Sequence, residues 1–197
     1  LLADRSGPVT DAQIDALCRR LYEFAAEHGG AVSCQDKLES LARAQALDAF
    51  CAEVDMLIGL NIVAPDNGGF PAARIQAEAA RAGLTQTLGG GYTRTDAAGQ
   101  VLFSLNLGGD GDGDTVQGVT LLFDVPRVKN GLAGFDQMTE VGLALAERLG
   151  GRLVDDGGRP VNRSSLERDR ASLEGLYARL AAHGIPAGGE RALRLFA

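Results

Sequence analysis

Tryptophan is absent from this chain, aromatic residues make up 5% of it, and histidine occurs twice, at His28 and His183. Neither histidine has a metal-ligating residue beside it, and each precedes a glycine that ends a predicted helix, where a histidine favours the negative helix end. The sequence contains no signal peptide and no apolar run of about 20 residues, so no membrane-spanning helix is predicted. We therefore predict no metal, no cofactor and no direct membrane contact.

Cysteine is also scarce, with Cys18, Cys34 and Cys51 as the whole set. Their odd number and the lack of CxxC spacing favour reduced thiols in a cytosol-like compartment. Basic residues are outnumbered, since the formal net charge is −7 and the pI is about 4.8. Such a surface does not suit a polyanionic partner, so nucleic-acid binding is not predicted.

Hydrophobic spacing predicts helices first and strands afterwards. Thr10 and Gln13 form a capping box that starts a helix, and a second helix is predicted over 36–50. From Val54 the period changes to two, which is typical of strands with one buried face. The predicted order after this point is strand 54–62, helix 70–82, strands 88–95, 101–107 and 118–125, helix 135–149, a hairpin over 152–162, and a helix that begins at a capping box formed by Ser164 and Glu167. The pattern implies an α+β fold with a mainly antiparallel sheet and helices on one side only.

Sequence motifs for catalysis or ion binding are incomplete in this chain. Gly89-Gly90-Gly91 precedes a predicted strand and matches neither phosphate-binding pattern, since both patterns open a helix. The Asp110–Asp114 run resembles the start of an EF-hand loop, but the sixth and twelfth positions lack the required Gly and Glu. Asp155 and Asp156 fit a hairpin turn, with no base, nucleophile or metal ligand nearby in sequence. We predict that the protein is not an enzyme.

One run of segments resembles a known family. The sequence "IGLNIVAP", a helix ending "EAARAG", then "GYTRTD", "GQVLFSLNL", "GVTLLFDVP" and "FDQMTEVGLALAERLGGRLVDDGGRPV" follow one another before a last helix. Together they resemble the C-terminal domain of ZipA, the bacterial cell-division protein, over about residues 53–183. The most specific pieces are "LFSL", "GVT" with the following "FDVP", and "LGGRLVDD".

The resemblance implies a split β-α-β fold, in which three helices back one face of a six-stranded antiparallel sheet. It also implies a cell-division adaptor that binds the C-terminal tail of FtsZ on the helix-free face of this sheet. Family members carry a membrane anchor ahead of this domain, so we expect an anchor upstream of this fragment and a place on the cytoplasmic side of the inner membrane, at the division site. The predicted organisation is a flexible tail over 1–9, a helical segment over 10–52, the ZipA-like domain over 53–186 and a tail over 187–197.

The resemblance also assigns a binding face on the outward side chains of neighbouring strands. The alternation of the predicted strand places Leu88, Gly90 and Tyr92 toward the helices and Gly89, Gly91 and Thr93 outward. The predicted protein-binding residues are Leu57, Gly59, Gly89, Gly91, Thr93, Gly108, Thr120 and Leu122. Of these, Leu57 and Leu122 are the large apolar ones, and Asp110 falls where a family member has lysine. Glycines at the other positions should weaken a partner that relies on apolar anchors, because a buried leucine is worth about 1.5–3 kcal/mol.

Other readings of this face stay open. The amphipathic helices of residues 10–52 could cover the glycine-lined face, from within the chain or from a second copy. The face could bind a different divisome partner. A small-molecule site or an enzyme on the same fold would need convergent polar groups, and the outward positions offer Asn61, Thr93, Ser104 and Thr120.

Overall fold

Two units make up the chain in the computed structural model, which describes residues 2–65, 68–108 and 115–197. The terminal unit comprises residues 2–55 together with Glu190–Ala197, so that it is discontinuous in sequence. The sheet unit is the continuous segment Met56–Gly189.

The terminal unit begins with a small hairpin of β1 (Ala3–Asp4) and β2 (Gly7–Pro8), followed by α1 (Asp11–Glu27) and α2 (Lys37–Val54). Thr10 and Gln13 form the predicted capping box at the start of α1. The Asp36 side chain accepts a hydrogen bond from the Glu39 N–H and so caps α2. This helix continues to Val54, which the sequence placed at the start of a strand.

A disulfide joins Cys18 of α1 to Cys34, so the prediction of reduced thiols is wrong for this pair. The turn between α1 and α2 brings the two Cα atoms to 6.1 Å, inside the range that a disulfide spans. Sequence spacing could not show this approach, because it depends on the path of the chain between the helices. Cys51 is a free, half-buried thiol, and burial raises its pKa, with Asp48 and Asp55 adding to the effect.

The sheet unit contains three α-helices, one short 3-10 helix (Val125–Arg127) and eight strands among its described residues. In chain order the strands and α-helices are β3 (Leu57–Val63), β4 (Phe70–Pro71), α3 (Ala72–Arg81), β5 (Thr85–Gln86), β6 (Tyr92–Thr95), β7 (Val101–Gly108), β8 (Thr115–Val116), β9 (Gly118–Asp124), α4 (Gly131–Leu149), β10 (Arg152–Val154) and α5 (Arg163–Ala182). Asn162, rather than the predicted Ser164, caps α5, and its capping box is completed by Ser165.

Six of these strands form one sheet in the order β10-β3-β9-β7-β6-β5, and every neighbouring pair is antiparallel. The predicted α+β fold with a six-stranded antiparallel sheet and an N-terminal helical segment is confirmed. The short strands β4 and β8 pair with each other outside this sheet, a contact that the sequence did not indicate.

One face of the six-stranded sheet carries the core. On β9 the alternate residues Val119, Leu121 and Phe123 are buried, as their period-two spacing predicted. Helix α4 packs closely here, since a Cβ atom added at Gly142 would lie 3.1 Å from the Leu121 Cδ1 atom. The residues between these on each strand therefore point away from α4 and form the opposite face.

Both ends of the chain differ from the predicted tails. The first residues form the β1–β2 hairpin, and Glu190–Leu195 forms a short helix, α6, with Ala192, Leu195 and Phe196 buried. Segments this short carry too few residues to show a periodic pattern, so their structure is decided by contacts with the rest of the terminal unit. Helix α6 contacts β1 within that unit.

Candidate protein-binding face

The face of the sheet that points away from α4 is called here the open face, and its middle is a row of four paired residues. Thr93 of β6 pairs with Ser104 of β7, Ser104 pairs with Leu122 of β9, and Leu122 pairs with Gly59 of β3. Thr93, Ser104 and Leu122 are half-buried. The small side chains of Thr93 and Ser104 beside Leu122 give a shape that lets a partner backbone come close to the sheet, whereas Gly59 at the end of the row is buried.

A polar row runs beside this one. Asn106 pairs with Thr120, and Thr120 pairs with Asn61. The Thr120 hydroxyl donates to the Asn61 Oδ1 atom at 2.6 Å, and the Asn61 amide donates to the Asp156 Oδ1 atom at 3.0 Å. This chain of hydrogen bonds fixes the Asn61 amide and brings a carboxylate to the margin of the open face.

Asp156 reaches this position because a tight turn follows β10. The N–H groups of Gly157 and Arg159 each donate to the Asp155 Oδ1 atom at 2.9 Å, and the Arg159 guanidinium donates to Oδ2 at 2.8 Å. The Arg159 backbone and side-chain hydrogen bonds hold the pKa of Asp155 below its usual range. The turn directs Asp156 over Gly59, where an added Cβ atom would collide with the Asp156 carboxylate.

Most of the predicted binding residues lie on the open face. Leu57 stands at one end of it, pairs with Asp124 and is 57% exposed. Gly108 pairs with Gly118 at the other end. A Cβ atom at Gly91 would lie 3.1 Å from the Asn106 Oδ1 atom, so this glycine adjoins the polar row.

Gly89 is the exception, because the predicted strand over 88–95 begins only at Tyr92. Thr87 donates to the Gly91 carbonyl at 2.8 Å and closes a turn between β5 and β6. Gly90 adopts a φ of +85°, a left-handed conformation that favours glycine and breaks the strand. Gly89 therefore lies in the turn rather than on the open face, and Leu88 is fully exposed there rather than facing the helices.

Sequence reasoning missed Asp156 as part of this face. It lies in a turn, outside any strand whose alternation would assign it a side, and it meets Gly59 only because β10 pairs with β3. The doublet Asp155-Asp156 was the available signal, and it indicated a hairpin turn. Asp110 and the rest of the acidic run 110–114 lie outside the described residues.

The open face has the chemistry of a docking surface. Its described residues are small, apolar or amide side chains, with Asp124 and Asp156 at its margin. In the parts of the chain that the structure describes, no group of three or more His, Cys, Asp or Glu side chains is placed to hold a metal ion. The domain that carries this face has an α+β fold.

Residues 56–172 match the family model described as ZipA, C-terminal FtsZ-binding domain. The match covers more than half of the chain and lies within the sheet unit, so the chain belongs to this FtsZ-binding family of cell division. Among curated proteins, none is significantly similar to this chain. None of the helices in the described residues is long and apolar enough to cross a membrane.

Proposed function

We propose that the open face binds the C-terminal tail of FtsZ, and that the protein is a non-enzymatic adaptor that helps tether the division ring to the inner membrane. The observation that carries the proposal is the row Thr93, Ser104, Leu122 and Gly59, which crosses four strands of a domain from an FtsZ-binding family. The tethering role rests on the family resemblance, in which an anchor lies ahead of the domain.

The row supports a shallow mode of binding. Leu122 and the exposed Leu57 offer apolar contacts, and the small residues around them permit close approach of a peptide backbone. Because burial of one leucine contributes about 1.5–3 kcal/mol, two leucines supply a limited share of the binding energy. Binding should therefore depend strongly on Leu122, which lies in the middle of the row.

A labelled FtsZ tail peptide titrated against the whole chain tests the proposal. We expect Leu122→Ser to weaken binding about tenfold, the usual effect of truncating a central anchor residue. Leu143→Ser is the matched control, because Leu143 is a 43% exposed leucine on α4 rather than on the sheet. The absence of binding by the folded wild-type protein, or equal loss in both variants, contradicts the proposal.

A second candidate is that residues 10–52 cover the open face or associate with a second copy. An exposed apolar stripe on α1 favours association, since Leu17, Leu21 and Phe24 are 58%, 39% and 59% exposed and share one helix face. The same titration with residues 56–189 alone separates the two candidates. Tighter binding than that of the whole chain supports masking, and unchanged affinity argues against it. Sedimentation of the whole chain reports association.

A further inference from the structure

In the described part of the chain, the first half of β3, Leu57–Leu60, has a neighbouring strand on one side only and so forms part of the sheet edge. On one side β9 pairs with all of Leu57–Val63. On the other side β10 pairs only with Asn61, Ile62 and Val63, because it ends at Val154 opposite Asn61. Among the described residues no strand pairs with Leu57–Leu60 on that second side.

The backbone direction shows which groups this edge presents. The Val125 N–H donates to the Met56 carbonyl at 3.0 Å, so the backbone groups of Met56 point toward β9. Residues of an antiparallel strand direct their N–H and C=O groups alternately to the two sides. The N–H and C=O groups of Leu57 and Gly59 therefore point away from β9, toward the edge.

A groove of about 420 Å³ lies along this edge. We call it the edge groove. Its walls are the turn Asp155–Gly157 and the helix α5, which contributes Leu173 and Leu176. Met56 and Leu57 also line the groove and are 43% and 57% exposed. Leu173, Leu176 and Gly59 are buried, so the accessible apolar surface of the groove comes mainly from Met56 and Leu57, beside the unpaired strand edge.

The charge of the edge groove is negative. Asp155, Asp156 and Asp169 line it, with Arg159 as the one cation among its lining residues. Arg159 is bound to Asp155 at 2.7 Å. Asp156 accepts from an uncharged amide, so this pairing leaves its negative charge in place. A partner with basic side chains therefore complements the groove.

We propose that the edge groove binds an extended, basic peptide segment, which adds to the sheet as a strand beside Leu57–Leu60, in line with β10. The Leu57 and Gly59 backbone supplies the hydrogen bonds, and alternate side chains of the segment meet the apolar wall and the carboxylates. This site is distinct from the open face, because it uses the strand edge and α5.

A probe of about eight residues, in which lysine alternates with valine, tests strand addition against the whole chain. We expect binding by fluorescence anisotropy, and amide exchange at Leu57 and Gly59 slowed about tenfold or more at saturation. The same peptide with glutamate in place of lysine should bind at least about tenfold more weakly. No binding of the lysine probe near 1 mM, the level of about −4 kcal/mol, overturns the proposal.

N-methylation of the probe backbone distinguishes strand addition from binding through side chains alone. One probe carries N-methyl groups on its valines and a second carries them on its lysines. Because only one edge of an added strand pairs with β3, one of these probes should lose about tenfold or more in affinity and the other should retain it. Equal binding of both N-methylated probes and the parent overturns strand addition.

Two matched pairs of variants locate the site. Ser172→Tyr fills the groove from α5, and Ala171→Tyr places the same side chain on the exposed neighbouring position, which does not line the groove. Asp169→Lys reverses a lining charge, and Glu167→Lys reverses one elsewhere on the helix. We expect loss of binding in the first member of each pair only. Equal effects within both pairs place the probe elsewhere and refute the proposal.

Discussion

Tyr177 of α5 is the residue where burial has the clearest consequence for pH dependence. Its hydroxyl donates to the Val125 carbonyl at 3.4 Å, beside the start of α4, where an added Cβ at Gly131 would collide with that hydroxyl. Burial raises the pKa of Tyr177 well above its ordinary value of 10.0, and the charge of Asp124 raises it further. The folded protein therefore holds this group neutral where the unfolded chain ionises it.

We predict that the free energy of unfolding falls as pH rises above about 10, where the unfolded tyrosine loses its proton. A raised folded pKa contributes stability that is complete below the unfolded pKa and is lost as pH rises toward the folded pKa. The loss attributable to Tyr177 has a limiting slope of about 1.4 kcal/mol per pH unit. Urea unfolding of the wild type and Tyr177→Phe across this range measures it.

The phenylalanine variant should lack this part of the slope, so that the two curves converge as pH rises. Tyr22→Phe is the control, since Tyr22 is 51% exposed on α1. Parallel curves for the wild type and Tyr177→Phe would show that Tyr177 ionises equally in both states.

At the scale of the elements, the Cys18–Cys34 disulfide links α1 to the segment before α2 and should stabilise both. The bond closes a loop with a sequence separation of 16. A cross-link that closes a loop of this size lowers the conformational entropy of the unfolded chain and so stabilises the folded state by about 3 kcal/mol. We predict that Cys18→Ser lowers the stability of the terminal unit by about this amount under oxidising conditions.

Thermal unfolding followed with and without a thiol reductant checks the disulfide. Reductant should lower the Tm of the wild type to that of Cys18→Ser and leave the variant unchanged. Cys51→Ser serves as the control, because Cys51 is free and its variant should respond to reductant as the wild type does. A Tm that is insensitive to reductant would contradict the prediction. The terminal unit is therefore expected to be less stable in a reducing compartment than in an oxidising one.

The elements also show which features a sequence can specify. β9 alternates buried and half-buried residues along its whole length, so its period identified both the strand and its faces. Leu88–Gly91 could not be read in this way, because glycines carry no side chain that reports a side. The place of Asp156 over Gly59 and the Cys18–Cys34 bond depend on contacts between segments distant in sequence, which local patterns do not encode.

At the scale of the whole molecule, the terminal unit is built from both ends of the described chain. Phe196 is 1% exposed, and it lines a small cavity with Arg5, Cys51 and Asp55 of the same unit. Truncating a buried phenylalanine usually costs about 3–5 kcal/mol. We predict a loss of this size for Phe196→Ala, confined to the terminal unit.

Amide exchange by residue distinguishes the two units. Protection in α1 and α2 should fall in Phe196→Ala, and protection in β3, β7 and β9 should persist. Phe24→Ala is a matched control, because Phe24 is 59% exposed and stacks on His28. Phe24→Ala should lower amide protection in α1 and α2 much less than Phe196→Ala does. An equal fall of protection in both units would show that they unfold together.

The discontinuity of the terminal unit also sets the path of mechanical load. The sheet unit joins the rest of the chain at two points, Asp55–Met56 and Gly189–Glu190, and both connections lead into the terminal unit. A force applied between residues 2 and 197 therefore acts first on the terminal unit. It stretches the sheet unit only after the terminal unit has unfolded. A force applied through a peptide held on the open face enters the sheet unit directly and leaves through those two connections. A pull on the chain ends and a pull on the peptide proposed for the open face would therefore load different elements of the fold.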